Sequence, residues 1–156
     1  MKKRLVSLIL SITMLFAFSA TAFAAEDRIP VQTTEESSSS VTVYFPSDTN
    51  ARGNLAYGTL AISNPSTGIA CVTGATFANE WSSLLKVKMT LYKYNPDTML
   101  STYIDSKQFY GVNGYSVAGS YNFTVPERHA YYYATGEHAY KSEEYQYSKT
   151  LAVKIN

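Results

Sequence analysis

The chain has 156 residues, 13 basic against 12 acidic, and a formal net charge of +1. No basic stripe accompanies that balance, which argues against a nucleic-acid partner. A single cysteine, Cys71, excludes an intrachain disulfide, so the fold must be held by packing alone.

Lys2, Lys3 and Arg4 precede an uncharged apolar run from Leu5 to Phe18, and Ala22-Phe23-Ala24 follows as a small–x–small site. The run is too short for a membrane span and has the flanks of a signal peptide. The sequence therefore predicts a signal peptide over 1–24, cleaved between Ala24 and Ala25, and a secreted, extracellular product. Export removes three basic residues and no acidic ones, leaving ten against twelve and a net charge of −2. No later segment is apolar enough to span a bilayer, so no membrane span is expected in the mature chain. Residues 25–40, rich in Ser, Thr and Glu, are polar and without period, and read as a disordered leader.

From 41 onward Val, Thr, Tyr, Ile and Phe dominate and the apolar period becomes two. Strands are predicted at 41–45, 55–63, 69–78, 85–94, 99–110, 115–125, 129–140 and 145–155. Turn residues separate most of them: Pro46-Ser47-Asp48, Asn64 to Gly68, Asn95-Pro96-Asp97, Gly111 to Gly114 and Val125-Pro126-Glu127. Only 78–85 has the composition of a helical turn. In the last strand Leu151, Val153 and Ile155 are expected to face the core. A four-residue loop, 141–144, would pair Tyr140 with Tyr145 and Tyr132 with Val153. Tyr132 then points inward and Tyr131 and Tyr133 outward. This pattern predicts an all-β fold over 41–156, an immunoglobulin-like antiparallel β-sandwich of seven to eight strands. Val125-Pro126-Glu127 followed by Tyr131 to Tyr133 resembles the tyrosine corner of fibronectin type III modules, where a Tyr hydroxyl ties back to the backbone.

Four strings carry a further resemblance: Ala51-Arg52-Gly53-Asn54-Leu55, Val87 to Tyr92, Tyr131 to His138, and the tail from Glu143 to Ile155. Together they resemble a group of small secreted proteins of Gram-positive, often gut-dwelling, bacteria that share a Tyr-Tyr-x-x-x-Gly-x-His string. The chain departs from that group at Lys149-Thr150-Leu151-Ala152, where the group carries a Thr-x-Gly turn. The resemblance implies secretion and a β fold and brings no activity with it.

Residues with chemical potential are few. His129 and His138 lie on one predicted strand about 30 Å apart at roughly 3.3 Å per residue, too far to share a metal. Ser116 stands in a Gly-x-Ser-x-Ala string that lacks the strand–turn–helix of a nucleophile elbow. Gly111, Gly114 and Gly119 are read as sites of positive φ or strand bends. Asp97, Asp105, Glu127 and Glu137 read as solvated acids, Glu143 and Glu144 as a charged hairpin tip, and Cys71 as a buried small hydrophobe. Tyrosine is the prominent type: there are 14, with Tyr131, Tyr132, Tyr133, Tyr140, Tyr145 and Tyr147 in one hairpin. Tyr offers a rigid apolar face with a polar tip, suited to recognition surfaces, and it also stabilises exposed strand pairs. Trp81 reads first as a plug over an open sandwich end and second as a binding residue.

The function expected is a secreted, non-enzymatic binding protein recognising a glycan or protein surface, with Tyr131, Tyr133 and Trp81 as candidate binding residues. No catalytic residue, metal or cofactor is predicted. The alternatives are a small hydrolase or metal-dependent enzyme using His129, Glu137 and His138, and a bacteriocin-like antagonistic factor.

Overall fold

The computed structural model describes residues 30–45 and 54–156. The segment expected as a signal peptide, with Ala24 and Ala25, the expected turn at 46–48 and the Ala51-Arg52-Gly53 string lie outside the described residues. Ten strands are described: β1 (Thr33–Thr34), β2 (Ser38–Tyr44), β3 (Leu55–Ser66), β4 (Ile69–Ser82), β5 (Leu85–Asn95), β6 (Leu100–Gly111), β7 (Gly114–Thr124), β8 (Ala130–Tyr140), β9 (Glu144–Lys149) and β10 (Ala152–Ile155). There is no helix among the described residues, and hence none long and apolar enough to cross a membrane. Residues 78–82, expected as part of a helical turn, continue β4.

The strands form two sheets. One has the order β2-β3-β4-β7; the other runs β1-β10-β8-β5-β6, with β9 also pairing β8. All pairings are antiparallel except β1 with β10. The two-residue beat of the sequence accounts for the core. On β5, Val87, Met89 and Leu91 are fully buried, while Lys86, Lys88 and Tyr92 face away. Leu55, Leu60 and Ile62 of β3, Ala70 and Val72 of β4, and Val117 and Phe123 of β7 meet them from the opposite sheet in one cluster. Burying a side chain of this kind contributes roughly 1.5–3 kcal/mol, the main force holding a domain without a covalent link between its sheets.

Three expectations need correction. First, the leader is not wholly apart from the domain. Thr33–Thr34 add a parallel strand to β10, Ser38 to Ser40 open β2, and Val31 is buried against Tyr94, Tyr133 and Ala152. The Val31 amide donates to the Tyr94 hydroxyl at 3.1 Å. Second, seven or eight strands become ten, because β1 is added and the last predicted strand divides into β9 and β10. Third, Leu151 is exposed, although Val153 and Ile155 are buried as expected.

A β-bulge explains the last two points. Tyr132 pairs with Val153, as the sequence predicts, but Tyr140 pairs with Glu144 and Ala139 with Tyr145. Between these registers the last strand spends one residue more than β8. At the bulge the Thr150 amide donates to the Ala134 carbonyl, and the Ala134 amide donates to Thr150 Oγ1, both at 3.0 Å. The Thr150 side chain thus replaces a missing ladder acceptor. Leu151 turns outward, and its amide donates to Ser39 Oγ at 3.1 Å.

The turns use side chains other than those expected. Among the described glycines only Gly68 has positive φ, whereas Asn113, His129, Lys141 and Ser142 adopt it. Lys141 and Ser142 in succession make the tight β8–β9 hairpin, in which the Glu143 amide donates to the Tyr140 carbonyl. Gly119 is needed for space, since any Cβ there would overlap the Phe109 ring.

The corner before β8 closes as anticipated. The Tyr132 hydroxyl donates to the Glu127 carbonyl at 2.7 Å and accepts the Glu127 amide at 3.2 Å, with its ring fully buried. Tyr132→Phe removes one partner from two backbone groups at once. A loss of about 1–2 kcal/mol is expected, read as a lower urea midpoint with unchanged slope.

Candidate functional site

The outward face of the β10-β8-β5-β6 sheet gathers most of the tyrosines. From β6 come Tyr103 and Tyr110, from β5 Tyr92 and Tyr94, from β8 Tyr131 and Tyr133, and from β9 Tyr145 and Tyr147. The registers place them in rows across the strands. Tyr110, Lys86, Ala139 and Tyr145 form one row; Gln108, Lys88, Glu137 and Tyr147 the next; then Ser106, Thr90, Thr135 and Lys149; then Tyr103, Tyr92 and Tyr133. Tyr147 is 65% exposed, Tyr110 60% and Tyr103 57%.

The three residues singled out as candidate binders fare differently. Tyr131 is half-buried, and its hydroxyl donates to Glu35 Oε1 at 2.5 Å, which raises its pKa. Tyr133 points to the outward face but is buried: Tyr92 stacks on it at 5.2 Å and 12°, and Lys149 Nζ lies 4.7 Å from its ring centroid. It supports the surface and does not present itself. Trp81 is 52% exposed at the end of β4, so it is no plug; its carbonyl accepts the Tyr140 hydroxyl at 3.2 Å. Tyr92, Tyr103, Tyr110 and Tyr147, which share this face, were not among the candidate binding residues. Continuous inward parity from Leu151 back to Tyr145 would have turned Tyr145 and Tyr147 into the core; the bulge reverses that.

A cleft of about 490 Å³ borders this face, lined by Val43 of β2 and by Lys88, Thr90, Tyr92, Thr135, Glu137, Tyr147, Ser148 and Lys149. Glu137 is occupied by Lys86 at 2.6 Å. Burial opposes the charge on Lys86, but the hydrogen bond and charge of Glu137 outweigh it and raise its pKa. Desolvation lowers the pKa of Lys149. A second cleft of about 490 Å³, lined by Thr34, Glu36, Ser38 to Ser40, Ala61 to Ser63 and Leu151, contains no aromatic or basic side chain.

The groups of the enzyme alternative do not converge. Glu137 faces outward, its neighbour His138 faces inward and is fully buried, and His129 sits in the turn before β8 with φ 61°. Glu127 is paired with Lys93. No group of three or more His, Cys, Asp or Glu could hold a metal among the described residues. Ser116 lies within β7. Cys71 is half-exposed, not buried, with its sulfur 3.4 Å from Ser120 Oγ. Glu144 is no free hairpin tip: its carboxylate accepts the Asn54 and Leu55 amides at 2.8 and 3.1 Å, fastening the hairpin to β3.

His138 instead links three strands. Thr76 Oγ1 donates to the Lys86 carbonyl at 3.0 Å, so toward His138 Nδ1, at 2.8 Å, it must accept. The imidazole therefore carries its proton on Nδ1, and Nε2 accepts the Ser148 hydroxyl at 2.8 Å. Gly58 makes room for the ring, as a Cβ there would lie 2.5–2.7 Å from its atoms.

Searches of family models, curated proteins and solved structures find no match to this chain.

Burial lowers the His138 pKa from 6.5 to about 4, partly opposed by the Ala75 carbonyl. The unfolded chain then binds the proton more readily than the native one. Stability from this group is full above about pH 6.5 and is lost as pH falls toward 4, amounting to about 3 kcal/mol. Denaturant titrations from pH 7.5 to 4 should show that loss, and His138→Gln should flatten it; an unchanged pH slope in the variant would contradict the assignment.

Proposed function

We propose that the chain is a secreted, non-enzymatic recognition protein that binds a glycan or protein surface through the outward tyrosine face of the β10-β8-β5-β6 sheet. The observation that carries this reading is the cleft itself: an open depression lined by Tyr92 and Tyr147, with Tyr103 and Tyr110 exposed on the same face. Tyrosines at such density on one face exceed what strand pairing needs, since cross-strand pairs contribute only about 0.2–1 kcal/mol each. Stacked and edge-on contacts among Tyr92, Tyr103 and Tyr133 fix the rings before any ligand arrives, which lowers the ordering cost of binding. The recognition residues are Tyr92, Tyr147, Tyr103 and Tyr110, with Tyr133 beneath them.

We infer, further, that the fold is an immunoglobulin-like sandwich. The strand orders β3-β4-β7 and β10-β8-β5-β6 fit the first, second and fifth strands of such a domain facing its seventh, sixth and third with one added edge strand. The Tyr132–Glu127 corner supports the same reading. An exported location follows from the apolar run at 5–18 and from the likeness to the Gram-positive secreted group, and it suits a domain whose contact face is built on a stable sheet. Fold alone brings no activity; the face does.

The test is a glycan and cell-surface binding screen on the exported chain, with Tyr147→Ala and Tyr103→Ala as paired variants. Both side chains are mostly solvent-exposed, so the variants should melt like the parent. At least a tenfold loss of binding is expected from Tyr147→Ala, as for anchors at a contact centre. Full binding in both variants would refute this surface.

A further inference from the structure

The rows of the outward face differ in height, and that difference creates a trough with a chemical character of its own. Ser106, Thr90 and Thr135 form a short row between two tall ones. Thr90 faces outward yet is only 8% exposed, because the neighbouring rows rise above it. One wall is the tyrosine row: Tyr103 meets Tyr92 edge-on at 6.1 Å and 80°, and Tyr92 stacks on Tyr133. The opposite wall is Lys88, Glu137 and Tyr147. Lys149 stands at the end of the short row, beside Thr135.

The trough holds two lysines, Lys88 and Lys149, against one carboxylate, Glu137. Glu137 is held by Lys86, and the other ion pair among the described residues, Lys93 with Glu127, lies elsewhere. Lys88 and Lys149 thus have no carboxylate partner among the described residues, while both line the cleft. On the floor of the trough the backbone is already paired on both flanks, by the β5–β6, β5–β8 and β8–β9 ladders; β9, at its end, pairs β8 alone. A peptide cannot add a strand on the β5–β8 floor, and the one flank open to strand addition beside the trough is the outer edge of β9. Over that floor recognition uses side chains: hydroxyls below, phenol faces at the sides and two ammonium groups.

We propose that this trough binds an acidic oligosaccharide, with sugar rings against Tyr92 and Tyr147 and a uronate carboxylate between Lys88 and Lys149. The proposal rests on the recognition face described above and specifies its ligand class. Phenol faces pack on the apolar C–H faces of a pyranose, and threonine and serine hydroxyls exchange hydrogen bonds with sugar hydroxyls. A carboxylate finds charge-assisted hydrogen bonds from lysines that no protein acid satisfies. The global charge after export is net negative, so the preference for an anion is local to this trough.

The experiment measures binding of the exported chain to uronic-acid oligosaccharides (galacturonate, glucuronate-containing and mannuronate oligomers). Their methyl esters, which keep the rings and remove the charge, are measured in parallel, together with an oligoglutamate peptide. The acids should bind at least tenfold tighter than their esters, and the gap should narrow with added salt. Lys88→Met/Lys149→Met should erase the preference, Lys88→Gln alone should reduce it, and Tyr147→Ala should weaken acid and ester alike. Equal binding of acid and ester that still depends on Tyr147 would overturn the acidic ligand and leave the recognition face standing. Oligoglutamate binding tighter than every uronate would overturn the sugar. Failure of all the oligosaccharides would overturn the proposal; cell-surface binding unaffected by Tyr147→Ala would overturn the face as well.

Discussion

Strand β8 is hydrogen-bonded on both flanks, by β5 on one side and by β9 and β10 on the other. A strand so placed cannot slip without breaking two ladders, and a slip of one residue would exchange its faces. Its inward residues Tyr132, Ala134, His138 and Tyr140 are buried, while Tyr131, Thr135 and Glu137 look outward. The interior and the tyrosine face are therefore two sides of one constraint. Anything that fixes the inward register also fixes the rows of the outward face.

Polar atoms help to set that register. A core of aliphatic side chains tolerates sliding better than one that contains hydrogen-bonded groups, because an unpaired buried donor or acceptor costs about 1–3 kcal/mol. Tyr132 meets its backbone partners at Glu127 in one register only, and His138 meets Thr76 and Ser148 in one register only. No buried side-chain nitrogen or oxygen lacks a partner among the described residues. His138, with Gly58 leaving room for its ring, is therefore a pin between the two sheets.

The outward face follows a different logic. It has no need to exclude water, so the choice of tall and short side chains along each strand is free to shape a surface. Tall phenol and lysine rows around a threonine row produce a depression without any loop, on backbone whose central strands β5 and β8 are held by ladders on both flanks. Sites on rigid elements keep their geometry better than sites on loops. Tyr133 carries the others: its ring lies beneath Tyr92 and Lys149 and links the surface to the second cluster with Val31 and Tyr94.

Much of this was legible in the residues alone. The two-residue beat of Val87, Met89 and Leu91 and the turn strings placed the strands and the inward set, because alternation is a local property of a half-buried strand. The Tyr132 corner and its pairing with Val153 could be read from spacing for the same reason. What spacing could not reveal was the bulge at Thr150–Leu151, since it depends on Thr150 reaching the Ala134 amide on another strand. That one extra residue decides that Ser148 turns inward to His138 and that Tyr145 and Tyr147 turn outward. Nor could a linear pattern show that Tyr92 covers Tyr133, that Trp81 stands in solvent, or that Glu137 is taken by Lys86. Periodicity fixes which residues share a side of one strand; only the pairing of strands decides which side becomes surface and which side chains meet there.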